Sequence, residues 1–144
     1  MKYLPTLLAE HFAKGYNIKL SSPDNYTWDY GLVYPDGSNR FQYVYLSEFT
    51  ENEKDYLYIR SFVADFDDRF NTAELLREAD FGRMCFISLK PYTKTDGTNV
   101  EGIYVTCCLP VGVAQSDKEV FKDVIHEVAN RADALERKFL NVDN

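Results

Sequence analysis

Two adjacent cysteines, Cys107 and Cys108 in the stretch YVTCCLP, are the first side chains in this sequence that could do chemistry. A redox pair, a metal site or a nucleophile would each use thiols. Adjacent residues of a strand point to opposite faces. The two therefore cannot share a metal from a regular strand, and a bond between them needs strained local geometry. No CxxC spacing of the kind zinc sites use is present. Cys107 shares a face with Val105 and Leu109 and reads as core. Cys85, between Met84 and Phe86, reads the same way, since free cysteine is among the most buried residue types. Reactive thiols need electropositive, partly exposed surroundings, which an acidic chain does not advertise.

His11 and His126 each fall on an expected helix, far apart in sequence, so a Cys–His pair would have to be assembled by the fold. A small enzyme with such a Cys–His site, or a carboxylate site, is the alternative reading. Asp65, Asp67 and Asp68 in ADFDDRF could attract a hard cation. The segment lacks the twelve-residue calcium pattern, and acids just before a helix meet its positive end. Whether this loop binds a cation stays open. Phosphate-binding GxGxxG and GxxxxGK[ST] and the nucleophile elbow GxSxG are absent. The expectation is no catalytic residue, no cofactor and no metal.

A net charge of −7 and a pI of about 4.8 give no basic footprint. Nucleic acid and anionic membrane are therefore not expected partners. Apolar runs are too short for a membrane span. In MKYLPTLLAEHFAKGY the apolar patch is broken by Glu10, His11 and Lys14, with no small-residue cleavage site after it. An odd cysteine count suits a reducing compartment. The expectation is a cytoplasmic protein. The 144 residues read as one domain, 1–144, able to bury a single core.

These side chains must be positioned by recognisable elements. Leu4, Leu7, Leu8 and Phe12 form one helical stripe, with Pro5 in the first turn and Gly15 at a C-cap position. YTWDYGLVY, RFQYVYLSEF and YLYIRSFVADF alternate with period two and read as an antiparallel meander. A turn at PDGSN has Gly37 at a position suited to positive φ. NTAELLREADFG reads as a short helix capped by Asn71, with Glu74 completing a capping box and Gly82 just past the end. RMCFISLKPY and EGIYVTCCL form a hairpin around Asp96 and Gly97. VGVAQ breaks the pattern. A long helix starts at Ser116, with Glu119 three residues on. Its stripe is Val120, Phe121, Val124, Ile125, Val128, Ala132 and Leu135. Glu127 with Arg131, and Asp133 with Arg137, read as i,i+4 pairs on its wet side. The class is α+β, ordered α-β-β-β-α-β-β-α, with a five-stranded, mostly antiparallel sheet on the N- and C-terminal helices.

The alternation sorts the strand side chains into two sets. Val44, Leu46, Leu57, Ile59, Ile87, Ile103 and Val105 are aliphatic and should meet the helices. Tyr43, Tyr45, Tyr56, Tyr58, Tyr104, Phe41 and Phe86 face the other way. A merely solvated face would carry Thr, Lys, Glu and Ser. Tyr combines large apolar area with a hydroxyl and anchors many interfaces. Tyr43, Tyr45, Tyr56, Tyr58, Tyr104 and Phe86 are thus the candidate residues for a protein partner or a homodimer contact. Cross-strand packing of the rings on one another is the other account of this set.

The segments RFQYVYLSEF to YLYIRSFVADF, NTAELLREADFGRMCFISL and EGIYVTCCLPVGVAQSDKEVFKDVIHEVANRADALERKF run in an order that resembles class I type III secretion chaperones. The chain also resembles the wider chaperone-like superfamily with the YbjN-type bacterial sensory transduction regulators. The resemblance rests on element order over nearly the whole chain, including the small residues Ala129 and Ala132 in the last helix. It implies a sheet packed on the first and last helices, frequent dimers, and polypeptide binding without catalysis. Heavy use of Tyr departs from a typical chaperone of this kind.

Overall fold

A computed structural model of the chain describes residues 1–12, 16–79 and 84–140. In chain order the elements are α1 (Leu4–His11), β1 (Ile18–Ser22), β2 (Asn25–Val33), β3 (Asn39–Glu51) and β4 (Lys54–Asp65). They continue with α2 (Thr72–Glu78), β5 (Phe86–Thr93), β6 (Asn99–Pro110), α3 (Val111–Ser116) and α4 (Lys118–Phe139). The strands form one antiparallel sheet in the order β1-β2-β3-β4-β6-β5. The expected α+β class with helices on an antiparallel sheet is present.

The sheet has six strands, not five. The additional one, β1, pairs at the edge with β2, placing Ile18 opposite Trp28. Lys19, Leu20 and Ser21 are exposed, so this strand carries no burial alternation by which sequence could reveal it. VGVAQ, expected as a break, is the short helix α3. Its β-branched valines and glycine hide a helical preference, while burial of Val111 and Ala114 holds it in place. The long helix begins at Lys118, two residues after the expected Ser116. Its cap is Asp117, whose carboxylate accepts from Glu119 N and Val120 N. Asn71 caps α2 as expected, accepting from Glu74 N at 3.1 Å. Gly15 and Gly82, expected at helix ends, lie outside the described residues.

One face of the sheet carries the core. Val44, Leu46, Leu57, Ile59, Ile103 and Val105 are fully buried, and Ile87 packs against them. They meet Leu4, Leu7 and Leu8 of α1 and Phe121, Val124, Ile125, Val128, Ala129, Ala132 and Leu135 of α4. Each fully buried Leu, Ile or Val contributes roughly 1.5–3 kcal/mol of transfer free energy. The expected aliphatic set is therefore the core face. The first turn of α1 has no side-chain cap of its own. Glu48 of β3 supplies one from across the chain, accepting from Lys2 N, Tyr3 N and Leu4 N at 2.5–2.7 Å. A carboxylate at this end also meets the positive end of the helix dipole.

β3 and β4 turn over in two residues, Asn52 and Glu53, with φ of 50° and 63°. Positive φ at both central residues matches the right-handed twist of the strands, but a residue with a Cβ there is strained. Asn tolerates it and Glu does not. Glu53→Gly is expected to raise stability by about 1 kcal/mol, read as a higher urea midpoint at unchanged slope. An unchanged or lower midpoint would contradict this account of the turn.

Candidate functional site

The second face of the sheet is built from the alternate residues of the same strands. Register places Tyr45 opposite Arg60 and Phe49 opposite Tyr56, with Tyr58 between them on β4; Phe41 and Tyr43 continue the same face along β3, and Phe62 along β4. Next come Tyr104, Thr106 and Cys108 of β6, then Phe86, Ser88, Lys90 and Tyr92 of β5. Among the described residues, the helices that contact the sheet do so on the core face. The aromatic face is left uncovered.

The rings on this face are partly spent on one another. Arg60 stands at the centre, its guanidinium 5.9, 5.2 and 5.1 Å from the ring centres of Tyr45, Tyr58 and Tyr104. Lys90 lies 5.5 Å from the Tyr58 ring. Phe49 stacks on Tyr56 at 5.1 Å and meets Tyr58 edge-on. Phe62 meets Tyr92 and Tyr104 edge-on at 5.8 and 5.4 Å. These three rings close over Gly102, where an added Cβ would fall 2.9 Å from Tyr104 and 3.0 Å from Phe62. Of the expected partner-binding residues, Tyr104 is therefore buried, and Tyr45, Tyr56 and Tyr58 are half-buried. Phe41, Tyr43 and Phe86 project, at 57%, 58% and 42% exposure.

The two central strands part in the middle of this face. β3 and β4 pair only as far as Val44 opposite Ser61. Beyond that point β4 carries a bulge between Phe62 and Ala64 against β6. A groove of about 520 Å³ opens there, lined by Asp29, Phe41, Gln42, Tyr43, Tyr45, Phe62, Val63 and Glu136. On the core side the parting is filled by polar side chains. Asp133 of α4 is wholly buried. It accepts from Arg40 Nε at 2.5 Å and from Gln42 Nε2 at 3.4 Å, and from the Tyr34 hydroxyl. Arg137 Nε lies 3.2 Å from its other oxygen. Ser61 Oγ is within donating distance of Tyr43 O, at 2.8 Å, and of Gln42 Oε1, at 3.2 Å. The Asp133–Arg137 pair exists, but it is not on a wet face. Asp133 belongs to the interior because Arg40 and Gln42, facing inward from β3, and Tyr34 supply the polar partners it needs.

This network was legible in part. Asp133 and Glu136 continue the α4 stripe from Ala129 and Ala132 at steps of four, and Arg40 and Gln42 continue the inward alternation of Val44 and Leu46. Acids on a core stripe and a base on a core alternation are the signal that sequence reasoning passed over.

The other chemistry-bearing residues are dispersed. Cys85 and Cys107 are buried and Cys108 exposed; all three are free thiols. The β5–β6 register, with Phe86 opposite Thr106, carries Cys85 to the neighbourhood of Cys107. A hydrogen bond with Cys107 and then burial hold the Cys85 thiol far above its ordinary range. His126 Nδ1 is 3.0 Å from the Tyr30 hydroxyl, and the His11 ring packs edge-on against Phe12 and Phe121. Asp65 is held by Lys94 at 2.8 Å and by the Tyr92 hydroxyl, and Asp67 by Arg69 at 2.9 Å. Among the described residues, no three His, Cys, Asp or Glu side chains are gathered as a metal would require. No described helix is long and apolar enough to cross a membrane.

Two experiments test this geometry. Asp133→Ala removes the carboxylate that meets Arg40, Gln42, Tyr34 and Arg137 and is expected to cost roughly 3–5 kcal/mol, whereas Arg40→Met with Asp133→Leu removes both members of the buried pair and recovers most of the loss. Urea unfolding of the single and double variants reads this, and simple additivity would contradict it. Burial and the bond to Asp133 push Tyr34 up to about 12, and the bond to Asp65 and burial do the same for Tyr92. The stability these hydroxyls add is whole below their ordinary value of 10.0 and is lost as pH rises through about 12. Absorbance titration is expected to show a late tyrosinate step in that window, together with falling stability. Ionisation of every tyrosine near pH 10.0 would contradict the two bonds.

No family model matches this chain, and neither a curated protein nor a solved structure matches it.

Proposed function

We propose that this chain is a non-enzymatic, cytoplasmic polypeptide-binding module of chaperone or adaptor kind, and that the aromatic sheet face is where it docks a partner or a second copy of itself. The uncovered face carries the proposal. A preformed sheet whose outer face is rich in Phe and Tyr carries the residue types enriched at interface cores. Its most exposed members, Phe41, Tyr43 and Phe86, stand on a floor already rigid from ring packing and the Arg60 contacts. Little side-chain entropy remains to be lost on docking. Phe41 and Tyr43 project at one side of the face and Phe86 at the other, and exposed apolar surface is a mark of interaction sites. The resemblance to class I secretion chaperones and their superfamily implies the same mode of action and frequent dimers.

The half-buried rings Tyr45, Tyr56 and Tyr58 serve as the floor, contributing roughly 0.2–1 kcal/mol per cross-strand pair. The projecting rings are the ones to change. Phe41→Ser, Tyr43→Ser and Phe86→Ser together are expected to leave the far-ultraviolet circular dichroism and melting temperature nearly unchanged. They are expected to abolish self-association in sedimentation and capture of cytosolic partners. A folded triple variant that keeps both would overturn the proposal.

A further inference from the structure

We infer that Cys85 and Cys107 form a reversible disulfide between β5 and β6 when the protein meets a peroxide, a staple at the edge of the sheet. Both are free thiols in the structure and both belong to the core cluster, apart from the docking face. Their placement follows from the hairpin. Lys94 N donates to Thr98 O at 2.8 Å beside the turn, which makes Lys94 and Thr98 a hydrogen-bonded pair. The β5–β6 register then runs without a shift from Thr93 opposite Asn99 to Phe86 opposite Thr106. Hydrogen-bonded and non-hydrogen-bonded pairs alternate along an antiparallel ladder. Phe86 and Thr106 are therefore hydrogen-bonded, and the next pair, Cys85 with Cys107, is of the non-hydrogen-bonded kind. That kind brings the side chains closer, with Cα atoms about 4.5 Å apart, within the span of about 4.4–6.8 Å that disulfides bridge. The two thiols already interact, since a hydrogen bond from Cys85 lowers the Cys107 thiol and makes it the first to ionise.

The chemistry balances with peroxide as the oxidant. The Cys107 thiolate attacks one oxygen of hydrogen peroxide, the O–O bond breaks, and the departing hydroxide takes up the thiol proton as water. Cys107 is left as a sulfenic acid. The Cys85 sulfur attacks the Cys107 sulfur, and its proton leaves with the sulfenic hydroxyl as a second water. Both sulfurs are oxidised and the peroxide is reduced. Cys85 and Cys107 are 5% and 1% exposed, so the oxidant must be small and the strand must open to admit it. β5 is an end strand of the sheet, and its residues Phe86–Thr93 are all exposed or half-buried. Local opening costs least where little apolar surface is buried. The bond would fasten this weakly held strand to β6. In a reducing compartment such a bond is transient and responds to oxidant.

The test uses the folded full chain carrying Cys108→Ser, which removes the exposed thiol and leaves the proposed pair. Millimolar hydrogen peroxide is added, remaining thiols are blocked with iodoacetamide, and the peptides are mapped by mass spectrometry. The expected product is an intramolecular link between Cys85 and Cys107, lighter by two hydrogens and reversed by dithiothreitol. The linked chain is expected to melt about 5–10 °C above the same chain after reduction. With all three cysteines present, the link is expected to join Cys85 to Cys107 and to leave Cys108 outside it. Thiols that stay free would overturn the proposal. So would oxidation to sulfinic acid without a link, links only between chains, a link through Cys108, or a linked chain that melts no higher than the reduced one.

Discussion

A fully buried carboxylate on the last helix organises the middle of this protein. Asp133 has no water to hydrate it, so its charge must be met by donors brought from elsewhere in the chain. Those donors are Arg40 and Gln42 from β3, Tyr34 from the turn before β3, and Arg137 one turn along α4. Seating them under α4 coincides with the point where β3 and β4 cease to pair. The ion pair and the opening of the sheet are therefore two sides of one arrangement.

The parting has a consequence on the far side. The strands that separate over the polar network also create the groove among Phe41, Tyr43, Tyr45 and Phe62. Without it the aromatic face would be a flat layer of rings. With it, that layer has a concave site with carboxylates in its wall. The two faces of the sheet thus divide the work. The aliphatic face against α1 and α4 provides the cohesion of the domain, and the aromatic face is the surface proposed for docking.

The aromatic face is itself divided. Tyr104, Tyr45 and Tyr58 are drawn toward Arg60, and Phe62, Tyr92 and Tyr104 close over Gly102. Such rings stiffen the sheet where no helix covers it. Phe41, Tyr43 and Phe86 have no such cover. A Tyr-rich strand alternation is therefore one pattern with two uses, and the position of each ring relative to Arg60 and Gly102 decides which use applies.

The sequence by itself determined the elements that have a sharp period or cap. The two strand sets, the long apolar stripe of α4, the Asn71 cap and the turn at Gly37 all follow from local rules that act within a few residues. Cys107 could be placed inside and Cys108 outside for the same reason, because alternation along one strand needs no partner. Tertiary structure alone decided the rest. β1 has no apolar alternation, and only its pairing with β2 makes it a strand. α3 is held by burial of Val111 and Ala114 against the propensity of its residues. The nearness of Cys85 to Cys107 depends on hairpin register. Asp133 looks like half of a surface pair when only its neighbours on the helix are considered. Its burial depends on Arg40, ninety-three residues away; helix and strand periods turn both residues inward, but only the packing of α4 on β3 decides that they meet.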